Sequence, residues 1–285
     1  MKKIIGIISI FYVLFLTSCV SQKIVSGNAR VEKRTFDLKD FDSIAFSLPS
    51  SEADIIQGEE YKVEISLDSN LFEFIDVSVI QGSKDEKTLA VMQKSNTNIR
   101  PYVFKISVTM PALKTLSIGG ITKSTVSGFH NKNQSLSLHV SGISSITADV
   151  SAAVIDADIS GIGNIDLKTK TEKCSLTISG YGKMTVDIIA NSINARISGT
   201  GNVYLKGNTE KCKAVVSGLG KIKALSLETE DAVCNVSGIG EIDIHAKKSL
   251  EARVSGLGTI RYAGNLQQAD LHFSGKGRSI KKLNK

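Results

Sequence analysis

Residues 159–186 read ISGIGNIDLKTKTEKCSLTISGYGKMTV and contain the motif Ser-Gly-x-Gly twice, 19 residues apart. From Ser141 onward the Ser-Gly pair occurs eight times, with successive gaps of 19, 19, 19, 19, 20, 18 and 19 residues, at Ser141, Ser160, Ser179, Ser198, Ser217, Ser237, Ser255 and Ser274. Upstream, Gly119-Gly120-Ile121 resembles a degenerate earlier copy. A fixed period of this length is typical of an architecture in which each unit stacks on the last.

Inside each repeat, apolar and polar residues alternate. Ile159 precedes Ser160, while Ile165 and Leu167 follow that serine by five and seven residues, with polar residues between them. A period of two with many β-branched residues is typical of strands that bury one face. We therefore predict an all-β fold, a single-stranded right-handed parallel β-helix (solenoid) of ~19-residue coils stacked at ~4.8 Å.

The sharp bend in each coil predicts glycines with positive φ, a conformation in which a side chain would clash. A tandem of antiparallel hairpins would also repeat, and it is the main alternative. Uninterrupted columns of one residue type favour parallel stacking in register over hairpins.

The chain before the repeats is less regular but still rich in strand patterns. Twenty of the 24 glycines lie beyond residue 115 and all three prolines lie before residue 112, which places the start of periodic structure near residue 115. We predict a leader at 1–18, a linker at 19–34, a β-rich part at 35–115, β-helix repeats at 116–275 and a basic tail at 276–285. In the last coil, Lys276 and Ser279 stand where aliphatic residues are expected, which marks that coil as a cap.

The N-terminus has the layout of a secretory signal: Lys2 and Lys3, then an apolar run from Ile4 to Leu16. The run is shorter than the ~20 apolar residues that span a bilayer. Its ending, Leu16-Thr17-Ser18-Cys19, resembles a bacterial lipobox, which implies a diacylglycerol on Cys19. We therefore expect an exported lipoprotein anchored in the outer membrane through Cys19, on its periplasmic or cell-surface face.

The chain has a mild excess of basic residues. Loss of Lys2 and Lys3 with the leader lowers the formal net charge from +7 to +5, and we expect no nucleic-acid partner. The segment Lys276–Lys285 contains no acidic residue. It could contact anionic lipid or polysaccharide, or it could be a solvated tail that protects an exposed strand edge, which we favour.

The polar columns predict structure rather than chemistry. The repeated serines could bind a sugar polymer, but we expect each hydroxyl to bond the neighbouring backbone or the next serine. Cys174 and Cys212 fall in one inward column, two coils or ~9.6 Å apart, which exceeds the ~7 Å Cα limit for a disulfide. Cys234 falls in another inward column, so we interpret all three as small buried hydrophobes.

Candidate catalytic and metal sites are sparse. His139 and His272 share an outward column but lie seven coils apart, too far to share a metal. The Gly-x-Gly bends lack the aspartate that calcium-binding repeats require. Asp166 and Asp243 share an outer column without a recurring acid–base pair of the kind that glycoside hydrolysis needs. We predict no catalytic residue, no metal site and no cofactor.

Several of these segments together resemble one family. They are Phe41-Asp42-Ser43-Ile44, the Gln57-Gly58 turn before Val63-Glu64-Ile65, the stretch from Val108 to Leu116, and the Ser-Gly-x-Gly repeats. The chain is similar over residues 35 to 275 to the "putative auto-transporter adhesin, head GIN domain" family of exported bacterial proteins. The resemblance implies a β-helical fold in an exported or lipoprotein setting, and it implies no catalytic residues.

The sequence is compatible with three functional hypotheses. The favoured hypothesis is a non-catalytic, lipid-anchored envelope protein that presents a binding or adhesion-like surface to a glycan or protein. The second is a structural or assembly role in the envelope. A carbohydrate-active enzyme is the third, and only fold analogy supports it.

Overall fold

The computed structural model describes residues 23–82, 86–274 and 279–283. The predicted leader and Cys19 lie outside the described residues. The described residues before the repeats form eight strands, β1 to β8, at Lys23–Ser26, Val31–Phe36, Ser43–Gln57, Lys62–Asp68, Ile75–Gln81, Lys87–Gln93, Thr97–Arg100 and Phe104–Met110. Ten further strands, β9 to β18, lie at Thr115–Val140, Ile143–Ile159, Ile162–Ile178, Tyr181–Ile197, Thr200–Val216, Leu219–Val236, Ile239–Val254, Leu257–Ala263, Gln268–Phe273 and Ser279–Lys282.

The repeats form a parallel β-solenoid, which confirms the predicted fold class. The described chain makes about nine turns with coils of ~19 residues and an irregular N-terminal part. Each strand from β9 onward pairs in parallel with the corresponding strand of the next coil, and Ser160, Gly161 and their copies form the bend between consecutive strands. The hairpin alternative is therefore wrong, because neighbouring coils run in one direction.

The irregular N-terminal part continues into the same sheet. Strand β3 pairs in parallel with β9, so it forms the first layer beneath the repeats. On its other edge β3 contacts β6 and β8, and antiparallel pairs β2–β4, β4–β8 and β5–β6 complete this end. Within residues 19–34, where we predicted a linker, the described residues include β1 and most of β2.

One continuous apolar core runs from Phe41 to Ile260 inside the solenoid. The larger side chains fill its N-terminal end, where Phe41, Phe46 and Phe104 are buried, while Ile, Val, Leu and Ala fill the coils. Identical register in successive coils places aliphatic residues over aliphatic residues, and each coil buries its face against its neighbours. The helical content of the described residues is a single 3₁₀ turn, Ser69–Phe74, and no helix there is long and apolar enough to cross a membrane.

The bend glycines are required by close approach, and the prediction of positive φ was wrong for nearly all of them. Among the bend glycines that the structure describes, only Gly120 has positive φ. At Gly161, a β-carbon would lie inside van der Waals contact with the carbonyl oxygens of Gly142 and Ser141 in the coil below. The same bend brings the amides of Ser160 and Gly161 to 2.9 and 3.1 Å from the carbonyl oxygen of Val140. Glycine is therefore needed because two backbones meet there.

The last coil differs from the prediction by one residue. Ile280, and not Ser279, pairs with Ile260 and continues the aliphatic column, while Ser279 pairs with Thr259. The motif spacing predicted the position wrongly because the coil gains one residue between the motif serine, Ser274, and this column. Ser279–Lys282 forms the edge strand of the sheet, with Lys281 and Lys282 exposed. Lys276 lies outside the described residues.

Candidate functional site: an exposed apolar ladder

A line of apolar side chains runs along the outside of the solenoid. The residue that follows each Ser-Gly pair lies beside its counterpart in the next coil, from Ile143 to Leu257. Each apolar member is exposed by between 50% and 62% of its surface. We call this line, with Ile121 below it, the apolar ladder: Ile121, Ile143, Ile162, Tyr181, Thr200, Leu219, Ile239 and Leu257. Thr200 is its one polar rung.

The alternation of the strands points these side chains outward. Around the first full Ser-Gly-x-Gly motif, Ile159 and Ile165 are buried and lie six positions apart, so residues at an odd number of positions from Ile159 face away from the core. Ile162 lies three residues after Ile159 and is therefore exposed. The same alternation of side chains places apolar residues both on the inward face, where they form the core, and on the outward face, where they form the ladder.

The ladder forms one wall of a long groove. Two adjoining cavities, of about 890 and 660 Å³, follow the bend and share Ile162, Gly163 and Asn164. At the N-terminal end the groove also contacts Tyr102, which is exposed. Eight rungs at ~4.8 Å give the ladder a length of ~34 Å, enough for an elongated partner.

The opposite wall of the groove is polar. It consists of the residues two positions after each rung, which stack in register: Lys123, Ser145, Asn164, Lys183, Asn202, Lys221, Glu241 and Thr259. The Lys183 ammonium lies 5.3 Å from the centre of the Tyr204 ring, within the range of a cation–π contact. The groove is therefore amphipathic, with an apolar side and a side rich in hydrogen-bond donors.

A network of ion pairs flanks the C-terminal end of this wall. Asp243 receives hydrogen bonds from Lys223 Nζ at 2.8 Å and Arg261 Nε at 2.7 Å. The same two cations lie 3.0 and 3.2 Å from Glu241 Oε2. Asp243 therefore has a structural role, with two cationic partners. Asp166, in the same column, lies between Thr147 and Thr185.

The network keeps both carboxylates ionised. Burial alone would raise the pKa of Asp243, but hydrogen bonds from Arg261 and Lys223 outweigh it and hold that pKa below its usual value. The Lys223 hydrogen bond is the main cause that lowers the pKa of Glu241. A general acid at neutral pH needs a raised pKa instead. This pair is suited to stabilising the coil stack and not to donating a proton.

The cysteines occupy the predicted columns. Cys174 and Cys212 are separated by Ile193, and Cys234 stacks between Ala214 and Ala252. All three described thiols are buried and free. Burial raises the pKa of Cys174 and of Cys212 to about 12, so neither forms a thiolate at neutral pH.

Three of the repeated serines bond the backbone in the predicted way. The hydroxyls of Ser141, Ser160 and Ser217 donate to carbonyl oxygens of the preceding coil at 3.3 to 3.5 Å. His139 and His272 share the expected outward column, at opposite ends of the repeats. Among residues 23–82, 86–274 and 279–283, no group of three His, Cys, Asp or Glu side chains could hold a metal ion.

A family model described as "Putative auto-transporter adhesin, head GIN domain" matches residues 40–186 and 168–265. The chain belongs to this family. The resemblance that the sequence suggested is therefore confirmed over most of the chain. A comparison with curated proteins found no match.

Solved structures share the fold of this head GIN domain protein. A "putative lipid binding protein" and a "putative adhesin", both from Parabacteroides distasonis, each match with a TM-score of 0.66 and 23% identity. A "putative adhesin" from Parabacteroides merdae also matches with a TM-score of 0.66, at 20% identity. In all three, the match covers 92% of this chain and 100% of the other. These likenesses show the fold.

The ladder was not predicted from the sequence of this head GIN domain protein, although the spacing of its residues indicates it. Each rung lies three residues after a buried position, and an odd separation in a strand means the opposite face. An aliphatic residue such as Leu219, which lies between two glycines at a position predicted to face outward, could have revealed the ladder.

Proposed function

We propose that this protein is a non-catalytic binding protein of the cell envelope, and that the apolar ladder is its binding surface. The observation that carries the proposal is the alignment of seven apolar rungs, each about half exposed, along one groove. Folded proteins rarely leave large contiguous apolar patches in water, and such patches typically mark interaction sites. A family described by adhesion fits a surface of this kind.

The chemistry of the described residues supports binding without catalysis. Glu241 and Asp243 are held ionised by their cations, and the hydroxyls of Ser141, Ser160 and Ser217 donate to backbone carbonyls. The thiols of Cys174 and Cys212 are buried with raised pKa values. These arrangements supply neither a nucleophile with a base beside it nor a general acid.

We further propose that the protein is exported and anchored in the outer membrane by a lipid on Cys19. The basic start, the short apolar run and the lipobox-like Leu16-Thr17-Ser18-Cys19 support this location. Anchoring at the N-terminus would leave the solenoid free to contact a protein or glycan. An amphipathic groove suits a partner with an apolar face beside polar groups, which both of these classes can offer.

The proposal is tested by binding to envelope material. The protein is immobilised and exposed to envelope proteins, envelope and host glycans, and lipid vesicles, the last because one structural relative is described as lipid binding. Leu219→Ser tests the ladder, and Ile189→Ser is the matched control, since Ile189 is 53% exposed outside the groove. We expect retention of a protein or glycan by the wild type and the control and at least a tenfold loss with Leu219→Ser. Equal retention by all three proteins, or by none, would overturn the proposal.

A further inference from the structure

We propose that the apolar ladder binds a second copy of this chain, arranged antiparallel across a two-fold axis. The inference rests on the proposed function, because it assigns a partner to the same surface. Three properties of the ladder carry it: its repeat length, the sizes of its rungs and the charges beside it.

The repeat length favours another solenoid. Rungs separated by ~4.8 Å match the rungs of a second copy along the whole ladder. An α-helix offers one turn per ~5.4 Å and would drift by ~4 Å over seven intervals. An extended peptide places side chains of one face ~6.7 Å apart and loses register sooner.

The extent of the surface is that of a stable interface. The ladder is ~34 Å long, and the strip from the motif serines across the groove to the column of Lys223 and Asp243 is ~20 Å wide, which gives ~700 Å². A standard protein interface buries ~800 Å² on each partner. Seven half-exposed apolar rungs supply the dehydrated centre that such an interface needs.

The rungs fit best when the copies run in opposite directions. A two-fold axis at the middle of the eight rungs places Tyr181 of each copy opposite Thr200 of the other. The single aromatic rung then meets the single small polar rung, so that the ring has room at the centre. In the same arrangement Ile162 faces Leu219, and Ile143 faces Ile239, which continues the apolar contact on both sides.

The charges on the polar wall are compatible with the same arrangement. In an antiparallel pair, Lys183 faces Asn202, Lys221 faces Asn164, and Glu241 faces Ser145. A parallel pair, related by a two-fold axis along the solenoids, would place each rung against its own copy, so that Tyr181 would face Tyr181, and would leave the two polar walls on opposite sides of the ladder. Antiparallel packing brings the two polar walls together without contact between like charges, which would be destabilising.

Disulfide trapping tests the partner and the direction together. Two differently tagged full-length chains, one with Ile162→Cys and one with Leu219→Cys, are mixed under mild oxidation. We expect a disulfide between the two chains, because the two residues are directly opposite. Ile162→Cys alone should not link to itself, since the two copies of this residue would lie three rungs or ~14 Å apart, beyond the ~7 Å limit.

Controls separate specific linkage from random oxidation. The unmodified chain reports any linkage through its own thiols, including Cys19, while Cys174, Cys212 and Cys234 are buried. The mixture of Lys170→Cys and Asn208→Cys places exposed thiols outside the groove and should not link. Light scattering on the unoxidised protein should give twice the mass of one chain, and Leu219→Lys should return it to a single mass.

Each result is decisive. The mixed disulfide together with a doubled mass supports self-association. A single-chain mass at all concentrations, or linkage of Ile162→Cys to itself, overturns it. A single-chain mass with ladder-dependent retention of another protein or of a glycan overturns the self-association and leaves the proposed function standing. A single-chain mass without any retained partner overturns both.

Discussion

Gly180 lies directly over the carbonyl group of Gly161 in the coil below. A β-carbon at Gly180 would fall inside van der Waals contact with that oxygen and with the carbonyl oxygen of Ser160. The Tyr181 amide then donates to the same Gly161 oxygen at 2.9 Å, which ties the beginning of the next strand to this bend. The close approach of the two backbones fixes the position from which every ladder rung projects.

Substitution of this glycine should therefore damage the stack. We expect Gly180→Ala to lower the free energy of unfolding by about 3 kcal/mol, the upper end of the cost of overpacking, because neither carbonyl can move without breaking backbone bonds. Chemical denaturation measures the change. Ser179→Ala, at an exposed position of the same bend, is the control and should change stability by no more than about 0.5 kcal/mol.

Truncation of a side chain should affect stability very differently on the two faces of one strand. Ile162 is a half-exposed rung and Ile165 is fully buried. We expect Ile162→Ala to change the free energy of unfolding by no more than about 0.5 kcal/mol, and Ile165→Ala to reduce it by about 2–5 kcal/mol. A large loss of stability with Ile162→Ala would show that the rung belongs to the core and not to a binding surface.

The ion pairs at Asp243 should stabilise the protein in a pH-dependent way. Its side chain is 6% exposed, and its pKa is lowered in the folded state. A lowered pKa means that the stabilisation is complete above the unfolded pKa of ~3.9 and is lost as the pH falls through the lower, folded value. We expect Asp243→Asn to cost about 1–2 kcal/mol at pH 7, since solvent screens the partly exposed Arg261 and Lys223.

Urea denaturation of the wild type and Asp243→Asn across pH measures this effect. The difference between the two proteins should be constant from about pH 5 to 8 and should shrink below about pH 4. A difference that grows as the pH falls would contradict the assignment of Asp243 as an ionised partner of Arg261.

The proposed anchor predicts a modification at one residue. In bacterial cells that process lipoproteins, the wild type should incorporate labelled fatty acid and fractionate with membranes. Cys19→Ser should do neither, while Cys212→Ser, which changes a buried thiol, should keep the label. Label that persists in Cys19→Ser would place the modification elsewhere.

The sequence predicted the coils because their signal is local and repeated. Period two assigned Ile159 and Ile165 to the core, and the 19-residue spacing placed Cys174 and Cys212 in one column with Ile193 between them. Those assignments need only the strand alternation and an in-register stack. The absence of any such period before residue 115 explains why the pairing of β3 with β6, β8 and β9 could not be predicted.

The errors have physical causes as well. The pattern shows that Gly161 is required, but positive φ and a close backbone approach both require glycine, and only the structure separates them. The last coil contains one more residue before its aliphatic column, so Ile280 takes the place expected for Ser279. The alternation of side chains along a strand predicts that Leu219 faces outward. The groove beside it could not be predicted in this way, because it depends on the shape of the bend.

The most direct test of the ladder as a binding surface is a single tryptophan placed within it. The chain contains no Trp, and Tyr181 is an exposed central rung. We predict that the emission of Tyr181→Trp shifts to shorter wavelength when the partner, either a second copy or retained envelope material, is added. Ile189→Trp, outside the groove, should not change. Undiminished binding with the Tyr181→Trp emission still at its solvent-exposed wavelength would contradict the assignment of the ladder as the binding surface.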